Sequence, residues 1–392
     1  MSINDQIYMD HGASTPVRDE VVAAMLPFWT VRYGNPAAVH RFGQDASRAL
    51  DEARSGIAQT LNASPDEIVF TGCGSESDNL ALRGVMLAAR RSGAGNHLVT
   101  SIIEHKAVLD TAKQLRDLFD FDLTILPVNS YGQVDPADLE AAMRPDTVLV
   151  SIMAANNEIG TLQPINELGH LARQHGALFH TDAIQAAAVT NWDMQAMPID
   201  LLSFAPHKFY GPKGIGILYV RRGVELVSIL TGGGQENDRR AGTVNVPFAV
   251  GAAKALTLAL QERDQSIAHH KLLTARLADG LLTSLRGDCV LTGHPTKRLP
   301  HNASFAFRHV SGNDLLMHLD VVGISASSGS ACLTGDPQPS AVLEALGMGA
   351  EWTKGGLRLT VGKQNTLEQV DYVLEAIPTI VKRLGHLTEQ YA

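Results

Sequence analysis

The stretch DEIVFTGCGSESDNLALRGVMLAARR (residues 66–91) changes its period once, and that change sets the fold. Ile68, Val69, Phe70 and Thr71 form a short continuous apolar run, as in a strand covered on both faces. From Ser75 onward the apolar residues recur at helical spacing. Only Gly72, Cys73 and Gly74 lie between the two regimes, so strand and helix meet in a tight turn. The same alternation continues outward. HLVTSIIEH (97–105), FDLTILPV (121–128), DTVLVSIMA (146–154) and ALFHTDA (177–183) read as strands. Helical patterns fall between them, including DPADLEAAM (135–143), where Asp135 caps and Pro136 opens the first turn. DLLSFAPHK (200–208) and GIGILYVRR (214–222) add two strands in succession. Strand–helix alternation with continuously apolar strands predicts an α/β fold, with a mostly parallel sheet between helical layers.

After Val246 the character changes. Residues 248–286 contain no proline and read as one long helix. CVLTG (289–293), NASFAFRHV (302–310), GISAS (323–327) and GGLRLTVG (355–362) then read as strands between helices, as in a smaller α+β domain. A chain of 392 residues suits two domains. The expected division is 15–260 for the large domain, and 1–14 with 261–392 for the small one.

Composition narrows the function. The net charge is −9 and no basic stripe is present, which excludes a nucleic-acid binder. No run approaches the ~20 apolar residues of a membrane span. The opening MSINDQIYMDHGAS has no basic head before an apolar core, so no secretory signal is expected. Three scattered cysteines, Cys73, Cys289 and Cys332, make no disulfide framework. A reduced, cytoplasmic protein acting on a small molecule or a protein partner is expected. Neither CxxC nor HExxH occurs, so no metal site is expected.

Open α/β sheets bind ligands beyond the carboxyl ends of their strands. The segments there are TGCGSE (71–76), EHKAV (104–108), AANNEIG (154–160), HTDAIQ (180–185) and APHKFYGPKG (205–214). The first suits a phosphate, because glycines admit close backbone approach and a helix starts at that point. Its ordinary reading is a capped turn, with Ser75 and Asp78 as caps. Asp182 follows an apolar strand and needs a cationic partner, such as a protonated ring nitrogen; its ordinary reading is a cap or an ion pair. Lys208 lies after another strand, and a desolvated lysine there can form a Schiff base; alone it reads as a surface lysine in a turn. A phosphate cradle, a carboxylate for a pyridinium nitrogen and a lysine for an aldehyde are together what pyridoxal 5'-phosphate requires.

With those residues in place the chain resembles the cysteine desulfurases, the NifS/IscS-like branch of the class V aminotransferase group. The shared segments include YMDHGASTPV (8–17), YGNPAAVHRFG (33–43), IVFTGCGSESDNLA (68–81), VSIMAANNEIGTLQPI (150–165), HKFYGPKGIGILYVRR (207–222), GGGQENDRRAGTVNV (232–246) and SSGSACLTGDPQPSAVLEALGM (327–348). The resemblance implies a fold-type I pyridoxal-phosphate transferase. It implies Lys208 as the Schiff-base lysine and Asp182 as the partner of the pyridine nitrogen. Gln185 and Asn156 would lie near the ring's phenolic oxygen, Asn156 also near the substrate carboxylate. His105 would stack on the ring and carry protons. Gly74, Ser75 and His207 would contact the phosphate, as would Thr243 from the other subunit of a homodimer. Arg358 would clamp the carboxylate of L-cysteine, which a guanidinium fork suits.

Cys332 matches the family's nucleophile. The resemblance implies that its thiolate takes the substrate sulfur as a persulfide, releases alanine and passes the sulfur to an acceptor protein such as an iron–sulfur scaffold. A loop of small residues, ASSGSACLTG (326–335), suits a sulfur that must travel. Selenocysteine lysis, or another elimination or transamination, is the alternative chemistry on the same residues. Ala205 departs from the serine usual in the family three residues before the lysine, which removes one phosphate hydrogen bond. Cys73 reads as a small cradle residue, Cys289 as a core residue, and His269 and His270 as solvated positions on the long helix.

Overall fold

The computed structural model describes residues 6–328 and 339–391. Among these, fourteen strands run in chain order. They are β1 (Ile7–Tyr8), β2 (Ile68–Thr71), β3 (His97–Ser101), β4 (Asp122–Leu126), β5 (Thr147–Ser151), β6 (Leu178–Asp182) and β7 (Leu201–Phe204). Next come β8 (Gly216–Val220), β9 (Gly234–Gln235), β10 (Arg240–Ala241), β11 (Cys289–Leu291), β12 (Asn302–Phe307), β13 (Ile324–Ser325) and β14 (Gly356–Thr360). The main sheet has the order β2-β8-β7-β6-β5-β3-β4. Its pairs are parallel except those of β8, which runs antiparallel to both β2 and β7. Every residue of β2, β3, β5, β7 and β8 is buried, which explains their mostly apolar sequence. One large apolar cluster covers one face through Phe179, Phe204 and Leu256. A second, built on Leu82, Leu98 and Leu115, covers the other.

A separate cluster joins β12, β14 and the C-terminal helix through Phe305, Leu359 and Val373. Met9 belongs to it, because the N-terminal strand β1 pairs in parallel with β13. Cys289 is buried here opposite Phe307, and burial pushes its thiol up to about 12, so it packs as a small apolar residue.

Two sequence expectations are corrected. The long helix is two helices, Val246–Gln261 and Arg263–Ser284, that meet at Glu262. No proline or glycine marks the break; Glu262 is instead drawn to Arg18 and Lys363. His270 is 7% exposed and not solvated, because the second helix turns it inward against His301.

Candidate active site

The tight turn after β2 is the first wall of the site. The helix Gly74–Ser92 starts there with Cys73 at its N-cap and no side-chain cap. Ser75 and Asp78 are therefore not caps. Ser75 is exposed in the first turn, and Asp78 is fully buried 3.7 Å from Nε2 of His180. The uncapped N–H groups at Gly74 and Ser75 border a cavity of about 280 Å³. A Cβ on Gly74 would come within 2.4 Å of the Ile184 side chain and 3.2 Å of Ala205, so only glycine leaves the cradle open.

The remaining walls come from the carboxyl ends of neighbouring strands. His105, beyond β3, caps the helix Lys106–Phe119: its Nδ1 accepts from Ala107 N at 3.1 Å. The neutral ring then carries its proton on Nε2. Asp182 ends β6, is 5% exposed and accepts from Ile184 N at 2.9 Å. Burial pushes its carboxyl above the usual range, while the nearby Lys208 charge pulls the other way. Gln185 donates to Gly12 O at 2.9 Å. His207, in the turn Pro206–Lys208 after β7, lies 3.4 Å from Ser14 Oγ, and burial lowers its ring to about 4. Lys208 Nζ donates to Gly12 O and Ala13 O at 2.7 and 2.8 Å. Burial, helped by the Arg358 charge, brings its ammonium down to about 8. Arg358, on β14, reaches the same cavity from the other sheet.

Gly74, Ser75, His105, Asp182, Gln185, His207, Lys208 and Arg358 thus share one cavity. Asn156 does not line it. Its amide is turned inward, donating to Ile103 O and accepting from Glu158 N and Ile159 N, while Asn157 takes the wall position. Thr243 is exposed beyond β10 and away from this cavity. Cys332 lies outside the described residues. The sequence reading missed Asp10 and Glu158. Both sat in quoted segments without a role, because only the fold shows what they face: Asp10 the Arg358 guanidinium, Glu158 the Ser340 hydroxyl at 2.7 Å.

The residues fit pyridoxal phosphate. An uncapped helix N-terminus behind a glycine cradle suits its phosphate, and a buried carboxylate in want of a cation suits its pyridinium nitrogen. A lysine held near neutrality suits its aldehyde. Fold and site together define a fold-type I pyridoxal-phosphate enzyme. Residues 7–373 match the family model described as aminotransferase class-V, and the chain belongs to that family. It is 47% identical over 385 residues to a cysteine desulfurase IscS of Methanosarcina thermophila, covering 98% of this chain and 94% of that one. Among solved structures, a NifS-like protein matches with a TM-score of 0.90 at 36% identity, covering 97% of this chain and 100% of that chain. SspA, solved in complex with cysteine, matches with a TM-score of 0.78 at 35% identity, covering 90% and 98% respectively.

Proposed function

We propose that this chain is a cysteine desulfurase that moves sulfur from L-cysteine to Cys332 and releases L-alanine. The observation that carries the reading is the shared cavity. It sets the Lys208 amine, the Asp182 carboxylate, the His105 ring and the Arg358 guanidinium around one small volume. Bound pyridoxal phosphate supplies an electron sink for the substrate's Cα. This chain's residues supply the rest. Arg358 binds the substrate carboxylate. Lys208, lowered to about 8, offers a neutral amine and can take the Cα proton on Nζ. His105 can give or take a proton at Nε2. The sulfur step balances without an outside oxidant. The substrate C–S bond breaks, an S–S bond forms to the Cys332 sulfur, and the electron pair returns to carbon, which is protonated to the methyl of alanine.

The described ends of the segment carrying Cys332 support that role. Ser327 pairs with Arg358 by backbone hydrogen bonds of 3.2 and 2.6 Å, and Ser340 is bonded to Glu158, next in sequence to the wall residue Asn157. A division into domains at 260/261, with residues 1–14 in the smaller one, is supported by the distinct clusters around Leu256 and around Met9, with Leu299 packing across into the first. The active form is a homodimer. Leu26, Trp29, Val31, Tyr33, Val39 and Phe42 stay 51–89% exposed near the N-terminus, an apolar face that a second copy covers, and Thr243 then reaches the partner's phosphate site. The sulfur acceptor is a protein of iron–sulfur assembly or a thiolation pathway, and the enzyme works in the cytoplasm. Among the described residues no helix is long and apolar enough to cross a membrane.

The test is mass spectrometry after incubation with L-cysteine, with alanine quantified in parallel, for the wild type and Cys332→Ala. One added sulfur on Cys332 and alanine turnover, both lost in the variant, bear the reading out. Alanine or pyruvate that persists in the variant replaces it with a lyase or transaminase.

A further inference from the structure

Arg358 does not stand free in the cavity wall. Its Nη2 is bonded to Asp10 Oδ1 at 2.9 Å, and its Nη1 donates to Asn157 O at 2.8 Å. Its Nε is buried and, among the described residues, has no hydrogen-bond partner. The ion pair is enclosed, with the two side chains 8% and 20% exposed. A guanidinium has five N–H donors in a fixed fork, so these two bonds set its plane and leave the second hydrogen of each terminal nitrogen for an incoming carboxylate.

Asp10 is itself held firmly. It forms a parallel bridge with Thr360, two residues beyond Arg358 on β14. Thr360 N donates to Met9 O at 2.8 Å, and Gly12 N donates to the Thr360 hydroxyl at 2.7 Å. Tyr8 Oη donates to the carbonyls of Asp10 and Ser14 at 3.1 and 2.9 Å. Two residues on, Gly12 O and Ala13 O receive the Lys208 ammonium. One short N-terminal strap therefore fixes the carboxylate beside Arg358 and the carbonyls beside Lys208.

We propose that Asp10 is a positioning residue for amino-acid recognition, orienting the Arg358 fork so that the remaining hydrogens of its terminal nitrogens meet the substrate carboxylate. This inference rests on the desulfurase reading for the identity of the substrate, but not for the binding event. An oriented fork binds a carboxylate in two bonds at once, whereas an untethered one must lose rotamer freedom on every encounter. The oxygen of Asp10 matters more than its charge, because an acceptor at Oδ1 suffices to set the plane.

The experiment compares the wild type with Asp10→Ala, Asp10→Asn and Asp10→Glu as cofactor-loaded enzymes. It measures kcat and KM for L-cysteine, and the dissociation constants of L-alanine and L-serine from the cofactor's absorbance. Asp10→Ala is expected to raise KM and both dissociation constants roughly tenfold, with kcat within about twofold, as for loss of one charge-assisted bond. Asp10→Asn recovers most of this through its amide oxygen. Asp10→Glu, whose carboxylate is displaced by one methylene, behaves like alanine and serves if Asp10→Ala folds poorly. Unchanged affinities in Asp10→Ala and Asp10→Glu, or an asparagine variant as impaired as alanine, overturn the proposal. If the wild type makes no alanine, the desulfurase reading fails, while the two binding constants still judge Asp10.

Discussion

Lys208 carries its own prediction. Its amine must be neutral to capture the aldehyde, and burial with the Arg358 charge sets its ammonium at about 8. For the cofactor-free protein, the rate of pyridoxal-phosphate capture, followed by stopped-flow absorbance, should rise about tenfold per pH unit below 8 and flatten above. A profile still rising at pH 10 means an unperturbed lysine. Ala205 gives a second. It is buried, lines the cavity and sits close to Gly74, where a serine hydroxyl would reach the phosphate cradle. Ala205→Ser should tighten cofactor binding roughly tenfold, as one charge-assisted hydrogen bond allows. An unchanged dissociation constant, by equilibrium dialysis, removes that position from the cradle. The two residues also differ in legibility. Lys208 alone read as a surface lysine and became legible only beside the glycine cradle and Asp182, whereas Asn156 and Asn157 are chemically equal neighbours. Only the turn that spends the amide of the first on Ile103 and Glu158 decides which one reaches the cavity.

At the scale of elements, the alternation of short apolar segments with helical patterns located all seven strands of the main sheet, including the partly exposed edge strand β4. It missed the break at Glu262, since nothing local stops a helix there. The cause is tertiary. Glu262 is bonded to Arg18 at 2.9 Å and paired with Lys363, so one carboxylate ties the N-terminal region to the segment after β14. With the three side chains 17–32% exposed, part of that attraction is screened. Glu262→Ala should cost about 1 kcal/mol by urea denaturation, and Glu262→Gln less. If both variants match the wild type, the break belongs to backbone preference and not to the ion pairs. Asp78 escaped for a similar reason: a carboxylate three residues after Ser75 has the spacing of a capping pair, and only packing against the sheet shows it beside His180.

For the whole molecule, buried histidines and buried carboxyls pull stability in opposite directions as pH changes. His11 and His270 are lowered to about 4, and His180 and His301 to about 3, in each case mainly by burial. His11, His270 and His301 line one small cavity with Arg18, Lys208 and Lys363, so no carboxylate among its walls favours their protonation. Arg358 adds positive charge nearby. The folded state keeps these rings neutral while the unfolded chain protonates them near pH 6.5. Their contribution is complete above 6.5 and is lost as pH falls toward 4 and 3, by up to ~1.4 kcal/mol per pH unit for each ring. Glu104, Glu158, Asp78 and Asp182 act oppositely. Burial raises all four, Glu104 to about 8 and Glu158 to about 7, so their penalty is relieved as pH falls. Below about pH 4.5 the unfolded carboxyls also protonate and this relief stops growing, leaving the histidines unopposed. The cofactor-free protein should therefore lose stability once pH falls below about 4.5. His270→Leu separates the rings from every other acid effect. Its stability relative to the wild type should improve between pH 7 and 5, read from urea midpoints at fixed ionic strength. An acid limb identical in the variant and the wild type would mean that His270 is already paired in solution, and that the acid sensitivity belongs to the surface carboxylates.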